Sequence, residues 1–116
     1  MMLRMKRAYD PPSEDDGFRI LVDRIWPRGM SRDQIQIDLW LKDVAPSDEL
    51  RRWFGHDPSR WDEFKERYHD ELASKEDLIT SILEKMSSGD VTFVFAAKDE
   101  KFNNAVALKE YILRES

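Results

Sequence analysis

The stretch GFRILVDRIWPRG, residues 17–29, decides how this chain is read. From Phe18 to Asp23 it is apolar apart from Arg19, the pattern of a strand covered on both faces. It then runs straight into a turn that holds Asp23, Arg24, Trp26 and Arg28. Four arginines (Arg19, Arg24, Arg28, Arg32) stand against one carboxylate, Asp23, in residues 17–32, although the whole chain carries a formal charge of -5. That local excess of positive charge reads as aimed at something anionic.

A second run apolar on both faces, VTFVFAA at residues 91–97, predicts another buried strand. Leu3 to Tyr9 alternates weakly as a strand does, and DPPSEDDG then reads as a surface loop. Between the two apolar runs the signals are helical. SRDQI, opened by Ser31, reads as one helical turn, and QIDLWL as an extended segment. Ser47 is a good N-cap for a helix to Phe54, stopped by Gly55. Asp57-Pro58 opens another, with Trp61, Phe64, Tyr68 and Leu72 along one face. Ser74 with Asp77 resembles a capping box for a helix carrying Leu78, Ile79, Ile82, Leu83 and Met86. Asn103 or Asn104 caps the last helix, whose Ala105, Leu108, Tyr111 and Ile112 face inward. Buried strands separated and followed by helices predict an α/β fold: a single three-layer-type domain with a small, largely parallel sheet and right-handed crossovers.

A chain of 116 residues suits one domain with a core of its own. It has no cysteine, which excludes disulfides, thiolate metal sites and a cysteine nucleophile. With no signal-peptide pattern and no membrane-length apolar run, the expectation is a soluble cytoplasmic protein that does not enter the membrane. Charged residues make up 37% of the chain, with acidic ones in excess, which disfavours nonspecific affinity for nucleic acid. Residues 1–32 nonetheless hold seven basic against five acidic side chains. A small basic mouth on an acidic body suits a compact anion.

Ligands of open parallel sheets collect beyond the carboxyl ends of the strands. There the first apolar run delivers Asp23, Arg24, Trp26 and Arg28, and the second delivers Lys98, Asp99, Asn103 and Asn104. If the two strands are parallel neighbours, these clusters face one crevice. Arginine forks bind phosphate or carboxylate oxygens in pairs, and Trp26 offers a flat face to a ring. A helix start at Asn103 or Asn104 adds N–H groups. Asp23 or Asp99 would serve as base or Mg²⁺ ligand, and Arg24 beside Asp23 is expected to depress its pKa. Every one of these residues also has a structural reading: Asp23 and Arg24 as a mutual pair, Trp26 as a core plug, Lys98 and Asp99 as a solvated turn, the asparagines as caps. His56, in GHDP, is a secondary catalytic or metal candidate, and His69 reads as solvated. Two histidines without cysteine disfavour a transition-metal cage, and no phosphate-loop, dinucleotide, HExxH or GxSxG motif is present. The cofactor is left unknown.

The blocks VDRIWPRG, DLWLKDVAPSDELRRWFGHDPSRWDEFKERY and FAAKDEKFNNAVALKEY together resemble the YeaO-like branch of the family called domain of unknown function 488, over almost the entire chain. The resemblance marks Asp23 to Arg24 and Trp26 to Gly29, then Trp53, Phe54, His56, Asp57 and Pro58, and finally Lys98, Asp99, Asn103 and Asn104 as motif positions. Other branches are similar in form but carry a cysteine-containing CHR-type motif where this chain has KDEKFNNAVAL, so no thiol chemistry carries over. It implies no particular reaction.

The leading expectation is a crevice for a small phosphorylated or nucleotide-like anion, in a binding protein or in a hydrolase or transferase. In it Arg24, Arg28 and Lys98 would hold the anion and Trp26 would stack. The alternative is a nucleic-acid-binding or regulatory module in which the same arginines meet phosphate and Trp26 or Trp53 stacks on a base. A further alternative is a noncatalytic interaction protein or homodimer built on exposed Trp40 and Trp53.

Overall fold

The computed structural model describes residues 2–115. Among them the chain forms four strands, β1 (Leu3–Arg7), β2 (Phe18–Leu21), β3 (Leu39–Trp40) and β4 (Val91–Phe95). Five helices accompany them, α1 (Arg32–Ile35), α2 (Asp48–Phe54), α3 (Trp61–Ala73), α4 (Glu76–Ser88) and α5 (Asn104–Glu115). The result is a single-sheet α/β domain. All strands are parallel, in the order β1-β4-β2-β3.

The last strand in sequence therefore lies second in the sheet, between β1 and β2. Phe93 pairs with Met5 on one side and Ile20 on the other. All five residues of β4 are buried, as its unbroken apolar run requires. The two runs expected to be buried strands are thus parallel neighbours.

The two faces of the sheet are covered very unequally. Helices α2 to α5 pack on one face, where Ile20, Val22, Phe93 and Phe95 meet Phe54, Phe64, Tyr68, Ile82, Leu108 and Ile112 in the main core. The opposite face keeps a small core of Ala8, Leu21, Ile35 and Val94, closed by Trp26, Met30 and Ile37. The third layer is accordingly thin: one helical turn and a loop.

The rest of that thin face is polar. Asp16, 4% exposed, accepts from Lys6 Nζ at 3.1 Å through Oδ1, and through Oδ2 from Arg19 Nη1 at 2.5 Å and from the backbone N–H of Ser13 at 3.0 Å. Burial by itself raises the pKa of Asp16, but the Ser13 N–H, Lys6 and Arg19 outweigh it and leave the carboxyl below its ordinary value. Arg19, also 4% exposed, spends its remaining donors on the carbonyls of Ile35 and Gln36. Thus the segment 10–17 is a surface loop, as expected, but one pinned to the sheet by the inward-turned, buried Asp16. Gly17 makes this turn at φ +66°, and a Cβ there would stand 2.2 Å from the carbonyl oxygen of Asp90. Only glycine fits.

Local capping chemistry explains most helix boundaries. Ser47 accepts from the Leu50 N–H, and Gly55 ends α2 in the left-handed region. Asp57 caps a short turn over Pro58–Arg60 that leads into α3. Asn103 caps α5 by accepting from the Val106 N–H at 3.0 Å. Ser74 departs from the expectation of a capping box. Its hydroxyl donates back to the Glu71 carbonyl at the end of α3, and α4 begins without a side-chain cap.

Candidate functional site

The chain leaves β2 toward the thin face, where Trp26 and Ile35 pack, and leaves β4 toward the thick face, where α5 packs. Adjacent parallel strands whose exits diverge in this way open a crevice between their carboxyl ends. A cleft of about 520 Å³ lies there. Its walls are residues 23–28 after β2, residues 96–97 and 102–104 after β4, and the C-terminal part of α2 with the turn that follows it.

A single carboxylate holds the two strand ends together. Asp23 accepts from the Ala96 N–H at 2.9 Å with one oxygen and from the Asn104 amide at 3.2 Å with the other. The expected depressed pKa is overturned here. Burial pushes the Asp23 carboxyl above its ordinary value, and the Ala96 N–H, the Asn104 amide and the charge of Arg51 reduce that rise without cancelling it. Arg24, its neighbour in sequence, turns elsewhere, toward Asp48, with Nε 3.8 Å from Oδ1. Nearness along the chain was a poor guide to pairing.

Among the described residues, four arginines line the cleft against one carboxylate, Asp23. Arg24 and Arg28 come from the turn after β2, while Arg51 and Arg52 come from α2 and were not among the residues singled out from sequence. Their signal was present, since RRWFGHD places two adjacent cations just ahead of His56. Asp48 also pairs with Arg51, at 2.9 Å, so one exposed carboxylate is shared by two of the four guanidinium groups. The Nε of Arg24 is buried and has no hydrogen-bond partner among the described residues. The local excess of positive charge at residues 17–32 therefore divides: Arg19 is consumed by structure, Arg32 lies exposed on α1, and only Arg24 and Arg28 reach the cleft.

The other expected residues also separate. Trp26 reaches the cleft, yet its indole N–H donates to the Met30 carbonyl at 2.7 Å and its ring meets Trp40 edge-on, so it serves the thin-face core as well. Asn103 and Asn104 both line the cleft, but Asn103 is spent as the α5 cap. Lys98 and Asp99 lie outside the cleft lining, exposed in the loop after β4. Asp99 closes that loop by accepting from the N–H groups of Lys101 and Phe102, which lower its pKa. His56 lines the cleft with φ +56°, a conformation a non-glycine residue adopts at a cost.

Trp53 stands outside the cleft with the guanidinium groups of Arg67 and Arg60 at 4.4 and 5.4 Å from its ring. Trp40 is 38% exposed, and its N–H donates to the Asp23 carbonyl. His69, expected in solvent, is half-buried with Nε2 2.9 Å from the Ala107 carbonyl. Among the described residues no group of three or more acidic or histidine side chains is placed to hold a metal ion, and no helix is long and apolar enough to cross a membrane.

Fold and cleft define a parallel α/β domain with an arginine-lined pocket at its strand switch point. The family model described as the Inactive DUF488-N3 subclade matches residues 2–116, and the chain belongs to that family. It is similar to the uncharacterised protein YeaO of Escherichia coli, 36% identical over 112 residues and 97% of each chain. Uncharacterised proteins of Mycobacterium tuberculosis and Mycobacterium bovis are 53% identical over 70 residues, 60% of this chain and 59% of theirs. The matched part thus spans under two thirds of those mycobacterial relatives. No solved structure matches the chain.

Proposed function

We propose that this domain binds a small phosphorylated or nucleotide-like anion in the cleft between the ends of β2 and β4, and that it does so as a binding protein. The observation that carries the reading is the convergence of Arg24, Arg28, Arg51 and Arg52 on one cleft with a single lining carboxylate. A guanidinium whose Nε is shielded from water and lacks an acceptor gains most from an anionic partner.

Two features favour binding over catalysis. Both oxygens of Asp23 are occupied in joining the strand ends, which leaves it a poor general base. The family description carries the word inactive. A long polyanion is the weaker fit, because the arginines of the site gather in one crevice on a net acidic chain.

The test is calorimetric titration of the protein with a panel of phosphorylated metabolites. Replacing Arg24 and Arg28 together by alanine is expected to weaken any binding found by about tenfold or more, the worth of a charge-assisted hydrogen bond. Unchanged affinity in the double variant would remove the anion role. Binding only to long nucleic acid, with steep salt dependence, would transfer the site to the polyanion reading.

A further inference from the structure

We infer that Asn104 selects the ligand, and that the ligand couples its anionic group to a ring bearing an N–H donor, as a nucleoside monophosphate does. This rests on the anion-binding reading above and specifies what occupies the rest of the cleft.

The orientation of the Asn104 amide follows from its neighbours. Its Nδ2 donates to the Val22 carbonyl and to Asp23 Oδ1, each at 3.2 Å. A backbone carbonyl and a carboxylate are acceptors, so the amide nitrogen must be the atom facing them. Both amide hydrogens are used there. The amide oxygen then accepts no hydrogen bond among the described residues, and the side chain lines the cleft. Capping of α5 does not require it, because Asn103 accepts the Val106 N–H. Asn104 therefore contributes one fixed acceptor to a cleft whose charged groups are almost all donors.

A bare phosphate, rich in acceptors, has little to offer that oxygen. A ligand carrying an N–H does. Size points the same way, since about 520 Å³ lies within the roughly 300–1,000 Å³ typical of small-molecule sites and far exceeds one phosphate group. Phe102, half-buried, lines the same cleft and offers the ring an aromatic surface, backed by the core residues Phe54 and Phe64. Arginines would hold the charge, Phe102 would pack on the ring, and Asn104 would read the ring's edge. A site built around a hydrogen-bonding group rejects analogues that lack the matching one.

The experiment titrates the full chain with inorganic phosphate, ribose 5-phosphate, and adenosine and guanosine 5′-monophosphates. On the unaltered protein at least one nucleotide is expected to bind about tenfold more tightly than ribose 5-phosphate. Asn104→Ala should abolish that preference while ribose 5-phosphate keeps its affinity, with circular dichroism confirming the fold. Ribose 5-phosphate binding as well as either nucleotide, in an Arg24- and Arg28-dependent way, would overturn this inference and leave the anion site standing. Equal loss of all ligands in Asn104→Ala would mean that the residue only braces Asp23, and would also overturn it. No binding of any of the four probes would remove both readings. Should Asn104→Ala fail to fold, the comparison between nucleotide and ribose 5-phosphate on the unaltered protein still decides.

Discussion

Arg19 and Arg24 leave the same short segment of chain and meet opposite fates. Arg19, on the thin face of the sheet, is sealed from water with its donors on Asp16, Ile35 and Gln36. Arg24, past the end of β2, keeps an Nε without an acceptor among the described residues and sees a carboxylate only at 3.8 Å. One sequence cluster thus holds a structural arginine and an available one. What separates them is whether the fold brings acceptors to the guanidinium: segment 10–17 and the turn after α1 do so for Arg19, and nothing comparable reaches Arg24.

Substitutions can break this contrast. Asp16→Ala strands a buried guanidinium and should cost about 3–5 kcal/mol, measured by chemical denaturation. The same pair gives a pH signature. The pKa of Asp16 is lower folded than unfolded, so its stabilisation is complete above the ordinary carboxylate range near pH 4 and is lost as pH falls through the depressed value. In the Asp16→Ala variant this part of the acid sensitivity should be missing. Gly17→Ala, at the turn that brings Asp16 into place, should destabilise by about 2–5 kcal/mol through its backbone conformation and the clash with Asp90.

Asp23 occupies the middle ground, half-buried where Asp16 is buried, and placed at the cleft. Asp23→Asn would set an NH₂ against either the Ala96 N–H or the Asn104 amide, and should cost about 1–3 kcal/mol in the same denaturation measurement. Arg24→Ala lies at the far end of the scale. Its side chain is one-third exposed and its ion pair is long, so stability should move by only about 0.5 kcal/mol. An Arg24→Ala loss as large as that of Asp16→Ala would erase the distinction between the two arginines.

The candidate site was legible in sequence to the extent that strand ends dictate it. Asp23, Arg24, Trp26, Arg28 and Asn104 follow directly on buried strands or open a helix, and all line the cleft. Lys98 and Asp99 follow a strand too, but a local turn closed by Asp99 carries them out to solvent. Arg51 and Arg52 were missed because α2 reaches the cleft only through packing on the sheet. The burial of Asp23 depends on Ala96 and Asn104, more than seventy residues away along the chain, so adjacency to Arg24 pointed its pKa the wrong way.

Local chemistry in the chain determined the elements themselves. Doubly apolar runs became β2 and β4, and Ser47, Gly55, Asp57 and Asn103 set helix ends, because capping and burial periodicity act over a few residues. Only the tertiary structure decided that β4 inserts between β1 and β2, which arginines are paired inside the fold, and where the cleft opens. Those outcomes depend on contacts between distant segments, for which a linear pattern carries no signal.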